Sequence, residues 1–191
     1  MNSIVRHMPD ATALQPDFRS AMRQLVGGVS VITVGRGDEV TGMTVSSLSS
    51  LAVEPPSIIV SLNRNASSWP ILQREGVFGA NLLAADQIGV AERFAGKGGL
   101  RGVERFAGAE WRKRVTGVPL LVGALATLDC EVEEIIERHS HAIVIGRVVH
   151  IDVAPQSAAL AYWHGSYVGV DRDDGHGRLA AFSVPDPRLT P

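Results

Sequence analysis

One cysteine in 191 residues leaves no partner for an internal disulfide and too few thiolates for a cysteine-rich zinc site. That residue, Cys130, alternates with Asp129 and Glu131, so it shares a face with Leu128 and Val132 and reads as a buried structural thiol. Aromatics make up only 5% of the chain, so any local concentration of them is informative. No apolar run approaches the roughly 18 residues of a membrane span, and no membrane association is expected. The net charge is −2, and the basic residues are scattered apart from Arg101, Arg105 and the run at 112–114. No extended basic face for a nucleic acid is therefore expected. The opening stretch MNSIVRHMPDATALQPD has no apolar core of signal-peptide length, which together with the lone cysteine predicts a cytoplasmic protein.

Several catalytic motifs are missing as well. There is no G-x-x-x-x-G-K-[ST] phosphate loop and no G-x-S-x-G elbow. GKGGLRG at 96–102 is glycine-rich but does not fit G-x-G-x-x-G, and it follows a predicted helix rather than a strand. His139 and His141 stand at i and i+2, where a strand would put both on one face, but no third metal ligand accompanies them. They are expected to be polar residues at a hairpin end, and no metal site is predicted.

What remains is one domain with a sizeable core, since 45% of the residues are hydrophobic. Residues 1–15 read as a flexible arm, 16–170 as the domain, and 171–191 as a polar, mobile tail. Within 16–28, Phe18, Met22 and Leu25 fall at i, i+4 and i+7, which predicts a helix stopped by Gly27 and Gly28. Strands are expected at 29–34, 41–50, 57–62, 77–83, 124–136 and 141–153, with a short one after a turn in 161–170. Two short helices are expected at 65–76 and 84–96, the first with Asn65 to Ser68 as N-cap candidates, Pro70 in its first turn and Gly76 as its stop. Residues 96–118 read as a Gly- and Arg-rich loop anchored by Phe106 and Trp111. Strands this numerous, not alternating with helices, predict a mostly β protein, an antiparallel barrel with peripheral helices.

Three segments carry candidate chemistry. TGMTVSSLSS at 41–50 has six hydroxyl side chains in ten, although Met43, Val45 and Leu48 mark it as partly buried. A buried hydroxyl needs a partner, either the backbone or a bound group, and Thr44, Ser46, Ser47 and Ser49 can hold a phosphate. NRNASSW at 63–69 puts Arg64 before Ser67 and Ser68 at an expected helix start, and Lys97 adds another cation. AYWHGSY at 161–167 gathers Tyr162, Trp163, His164 and Tyr167 around Gly165, which suits stacking on a flat ligand or closing the end of a barrel.

The ordered set of segments resembles the flavin reductase-like family, the short-chain NAD(P)H:flavin oxidoreductases that serve two-component monooxygenases. The matching pieces are FRSAMRQLVGGVSVITV (18–34), TGMTVSSLSSLAVEPPSIIVSL (41–62), NASSW (65–69), FGANLLAADQ (78–87), ERFAGK (92–97), RFAGAEW (105–111), PLLVGALATLDCEVE (119–133), HAIVIGRVVHI (141–151) and YWHGSY (162–167). The resemblance implies an FMN-binding split barrel, usually a homodimer. It implies flavin contacts at Ser46, Ser47, Leu48 and Ser49, and phosphate or adenylate contacts along Asn63, Arg64, Asn65, Ala66, Ser67, Ser68 and Trp69. Gly96, Lys97 and Ala107 match further flavin contacts. Tyr162, Trp163, His164 and Gly165 match the segment that meets the nicotinamide nucleotide. His141 matches a histidine where the two rings meet, the only catalytic residue expected. Here the family usually reads Gly-Asp-His and this chain reads His139-Ser140-His141, so the acidic partner is missing.

The implied activity is hydride transfer from NADH or NADPH to FAD or FMN, with the reduced flavin passed to a separate monooxygenase. Other readings stay open from the residues alone: a split-barrel flavoprotein that reduces another acceptor, or a flavin-binding module without catalysis.

Overall fold

The computed structural model describes residues 14–155 and 158–171, so the expected arm and tail lie almost wholly outside the described residues. Helix α1 (Gln15–Met22) comes first, followed by β1 (Gly27–Gly28), β2 (Ser30–Val34), β3 (Thr41–Val45), β4 (Ser49–Val53) and β5 (Pro56–Asn63). Helix α2 (Trp69–Glu75) leads to β6 (Val77–Leu82) and α3 (Ile88–Phe94). The short strands β7 (Trp111–Arg112) and β8 (Leu120–Leu121) precede the long hairpin of β9 (Ala126–Arg138) and β10 (His141–Val153). Strands β11 (Ala159–Trp163) and β12 (Ser166–Val170) end the described fold.

Seven strands form one antiparallel sheet in the order β3-β2-β6-β9-β10-β5-β4. Its two edge strands, β3 and β4, are consecutive in the chain and only residues 46–48 separate them. That connection spans at most about 14 Å between the two strand ends. The sheet must therefore curl until its edges nearly meet. No ladder joins β3 to β4 among the described residues, so the curl stays open along one seam and the expected closed barrel is not formed by hydrogen bonding. The Ser47 hydroxyl crosses this seam and donates to the Ser61 carbonyl at 2.8 Å. A second sheet, β1-β11-β12, packs beside the first.

The alternation of β2 explains why both of its faces are buried. Ile32 and Val34 enter an inner core with Val60, Leu62, Leu72, Phe78 and Val144. Val31 joins an outer core with Val90, Phe94, Phe106 and Leu160, under α3 and the small sheet. Phe94, Phe106 and Trp111 pack with ring centroids 4.8–5.5 Å apart, so the two expected loop anchors do hold residues 96–118 down. Gly146 leaves space for Phe78, because a Cβ there would stand 2.4 Å from its ring. Asn81, fully buried, donates to the Val31 carbonyl at 2.9 Å and accepts from the Leu121 N–H at 2.7 Å, which ties β6 to β2 and β8.

Several expectations need correcting. The helix predicted over 16–28 ends at Met22, and Gly27 and Gly28 become a strand paired with Tyr162 and Ala161. A Cβ on Gly27 would lie 2.9 Å from that of Ser46, so the glycine is there for close approach. The single strand predicted at 41–50 is two strands on opposite edges of the sheet, broken at the hydroxyl-rich residues 46–48. The helices expected at 65–76 and 84–96 are shorter, Trp69–Glu75 and Ile88–Phe94, and 161–170 holds parts of two paired strands rather than one. Gly76 is the left-handed stop of α2 at φ +63°, and β10 has the predicted bounds.

Candidate functional site

Residues 46–48 bridge the seam, and three clefts open around them. One, of about 300 Å³, lies at the seam between Met43, Val45, Ser61, Asn63 and His141. A second, of about 490 Å³, runs between α1 and the turn at 162–165. The third, of about 200 Å³, lies between Thr44, Ala95, Tyr162 and Tyr167. Ser46 lines all three, so they meet at one residue. Its side chain is exposed and makes no hydrogen bond among the described residues.

The hydroxyls of this stretch divide by role. Thr44 donates to the Ala91 carbonyl at 2.6 Å, which seats β3 against α3. Ser47 is committed to the seam, and Ser49 only to its neighbour Ser50 at 3.2 Å. Leu48 packs on the inner core. Of the unpartnered hydroxyls in this stretch, Ser46 is the one that lines the clefts, with the Gly27 backbone beside it.

The segment at 63–69 is held mostly by protein. The Asn63 side chain accepts from the Asn65 N–H at 2.9 Å, as in an Asx turn. Arg64 is not a free cation. Its Nη2 pairs with Glu137 at 2.6 Å and its Nη1 donates to the His139 carbonyl at 3.1 Å. Ala66 accepts from the Trp69 N–H, and the Trp69 side chain is buried in the inner core, so the indole does not reach a cleft. Ser68 is buried with an unpartnered Oγ, while Ser67 faces a separate cavity. Lys97 pairs with Glu92 at 2.6 Å, and Gly96 holds the left-handed conformation at φ +94°. Gly96, Lys97 and Ala107 line none of the three clefts, although Ala95 does.

The aromatic turn is placed by a two-residue hairpin loop. His164 and Gly165 both have positive φ, +51° and +85°, between the paired Trp163 and Ser166. The Trp163 indole donates to the Gln24 carbonyl at 3.2 Å, and the His164 N–H to the Arg23 carbonyl at 3.1 Å. These bonds stitch the chain after α1 to the turn and form one wall of the second cleft. The rings of Tyr162 and Tyr167 meet edge-on at 5.4 Å.

His141 opens β10 opposite Asn63 and lines the seam cleft. Its Nδ1 lies 2.9 Å from the Ser140 hydroxyl, so Ser140 occupies the partner position where an acid was missed in the sequence. Nε2 is then the ring nitrogen left for a ligand. Cys130 is fully buried in the inner core, and burial, then the Asp129 charge, push its thiol far up, which keeps it unreactive. Sequence reasoning missed the contribution of α1 and of Gly27, because nothing local places either against residues 46–47.

Curled sheet, seam bridge and aromatic turn together define a mainly β protein with three clefts meeting at the open seam. The model of the flavin reductase like domain matches residues 22–171, and the chain belongs to that family. It is 36% identical over 158 residues to FMN reductase (NADH) RutF of Cronobacter sakazakii, covering 83% of this chain and 94% of the relative. It is 31% identical to HsaB of Rhodococcus jostii, the reductase subunit of a flavin-dependent monooxygenase, covering 85% of this chain and 82% of that one. The fold is similar to that of BorF, the flavin reductase component of a bacterial two-component tryptophan halogenase. The TM-score is 0.76 at 32% identity, with 82% of this chain and 98% of BorF covered.

Proposed function

We propose that the chain is an NADH-dependent flavin reductase of the split-barrel kind, whose reduced flavin leaves for a separate oxygenase. The observation that carries this reading is the meeting of three clefts at Ser46, a residue with an unpartnered hydroxyl beside a wall that has no Cβ. The donor set fits a flavin: a free hydroxyl and peptide groups flanked by aromatic and apolar side chains, with no thiol in reach. The named relatives supply the choice of NADH and of an oxygenase as recipient.

Hydride exchange between the two ring systems is the chemistry that the bound nucleotides themselves supply. The chain's work is placement and electrostatics. Ser46 and Ser47, which line the clefts, would form the floor under a bound flavin, with Leu48 anchoring that floor to the inner core. Tyr162 and the turn after it line the second cleft and would bound the side open to the nicotinamide. Peptide N–H groups of residues 46–49 would be the donors available to stabilise negative charge on a reduced flavin. His141, held by Ser140, orients the nicotinamide or shares a proton through Nε2. Oxidation of NADH, followed by loss of its near-ultraviolet absorbance with FMN, FAD or no flavin added, tests the proposal. Oxidation that needs catalytic protein and added flavin is expected. No oxidation of NADH or NADPH with either flavin would sink it.

The protein is also proposed to work as a homodimer. Helix α1 buries none of its residues, with Phe18 63% exposed, and the edge strand β4 is exposed throughout, with Val53 89% exposed. Apolar surface of this kind is normally covered.

A further inference from the structure

A cavity of about 450 Å³ shares no lining residue with the three clefts above. It lies at the far end of the seam, where the start of β3, the turn before α2 and residues 101–105 converge. Its charges are unevenly spent. Arg74 is neutralised by Glu39 at 2.5 Å and by Glu75 at 3.0 Å. Arg105 has only carbonyl partners, Gly42 at 2.6 Å, Leu100 at 3.0 Å and Phe94 at 3.5 Å, so its charge is hydrogen-bonded but not neutralised. Arg101 makes no ion pair among the described residues, and nearby Glu104 is turned to the Arg101 N–H. Two hydroxyls complete this side. Thr41 is 3% exposed with an Oγ1 that has no partner, and Ser67 sits opposite.

Two guanidiniums without acids, beside an unpartnered buried hydroxyl, suit a phosphoryl group, whose planar recognition Arg provides. The remaining walls suit a base. Val40 and Ile71 are apolar, and Asp38, a carboxylate with no ion pair among the described residues, can accept from an exocyclic amine. The volume falls in the range of small-ligand sites. Two segments run from this cavity toward the clefts at Ser46. Thr41 is four residues from Val45 along β3, about 13 Å, and Ser67 is four residues from Asn63, which lines the seam cleft. The nicotinamide wall at Tyr162 lies beyond Ser46, at the other end of this line.

We infer that this cavity seats the adenylate half of a flavin dinucleotide, with Arg101 and Arg105 on its phosphate and Asp38 on its base, so that the chain prefers FAD to FMN. The inference rests on the reductase reading for the flavin's position, but its first test does not need turnover. Calorimetric titration of the full chain with AMP is expected to show binding, weakened about tenfold by Arg101→Gln, the usual effect of losing a charged hydrogen bond. Arg101 is exposed, so this variant is not expected to disturb folding. Asp38→Ala is expected to weaken AMP but not inorganic phosphate. In steady state, Arg101→Gln should raise the KM for FAD relative to that for FMN. The inference is overturned if AMP gives no binding heat, or if Arg101→Gln leaves AMP affinity unchanged. A rise in the KM for NADH in place of FAD would also overturn it, since the cavity would then serve the other dinucleotide. Binding of AMP by a chain that oxidises no reduced nicotinamide would retain the cavity as an adenylate site and remove the reductase reading.

Discussion

A hydroxyl is informative only when its partner is known. Six hydroxyls crowd residues 41–50, and the structure spends Thr44 on Ala91, Ser47 on Ser61, and leaves Ser46 open. The same sorting applies to the cations. Arg64 and Lys97 are paired with carboxylates, while Arg105 is held by carbonyls alone. His141 is the residue-scale test of the site. Its Nδ1 partner is Ser140, so the imidazole is oriented by a hydroxyl rather than by a carboxylate. Replacing it with Ala is expected to raise the KM for NADH about three- to tenfold, the value of one hydrogen bond, and to change the flavin KM less. Steady-state kinetics with each substrate varied in turn checks this. Unchanged kinetics would remove His141 from the site.

At the scale of elements, the decisive feature is that β3 and β4 are neighbours in sequence and opposite in the sheet. The curl that this demands depends on close packing inside. Phe78 on β6 fills the interior against Gly146 on β10, with no room for a methyl group between them. Gly146→Ala is expected to destabilise the fold by about 1–3 kcal/mol, the typical cost of overpacking. Urea unfolding should show a lowered midpoint with an unchanged slope. A neutral result would mean that the hairpin of β9 and β10 yields at its bulge between Ile145 and Gly146. Elements also set the second cleft, because α1 lines it with Phe18, Arg19 and Met22 and the aromatic turn donates to the Arg23 and Gln24 carbonyls just after the helix.

At the scale of the whole molecule, two apolar surfaces, α1 and β4, are left uncovered by the described residues. Sedimentation equilibrium is expected to give twice the chain mass, and Val53→Lys to shift the equilibrium toward the single chain, since an edge lysine opposes strand-edge association. A wild-type protein that sediments as one chain at micromolar concentration would exclude the dimer. No helix among the described residues is long and apolar enough to cross a membrane.

Local pattern by itself determined a good deal of this protein. Alternation located β2, β6, β9 and β10, because a pleated strand repeats every two residues whatever it packs against. Pro70 and Gly76 located α2, because their backbone preferences are intrinsic. The ordered segments also carried the family, and through it the proposal of Ser46, His141 and the turn at 162–165 as site residues. Local pattern failed where a distant contact chose the outcome. Gly27 and Gly28 looked like a helix stop and became a strand because Tyr162, far along the chain, pairs with them. Residues 41–50 looked like one strand and became two because both edges of a curled sheet must be reached. Only the tertiary structure decided which hydroxyls and cations are free, since each is satisfied or left open by residues that are remote in sequence. It alone brought Thr41, Ser67 and Arg105 to one cavity, because the seam gathers three segments that no periodicity connects.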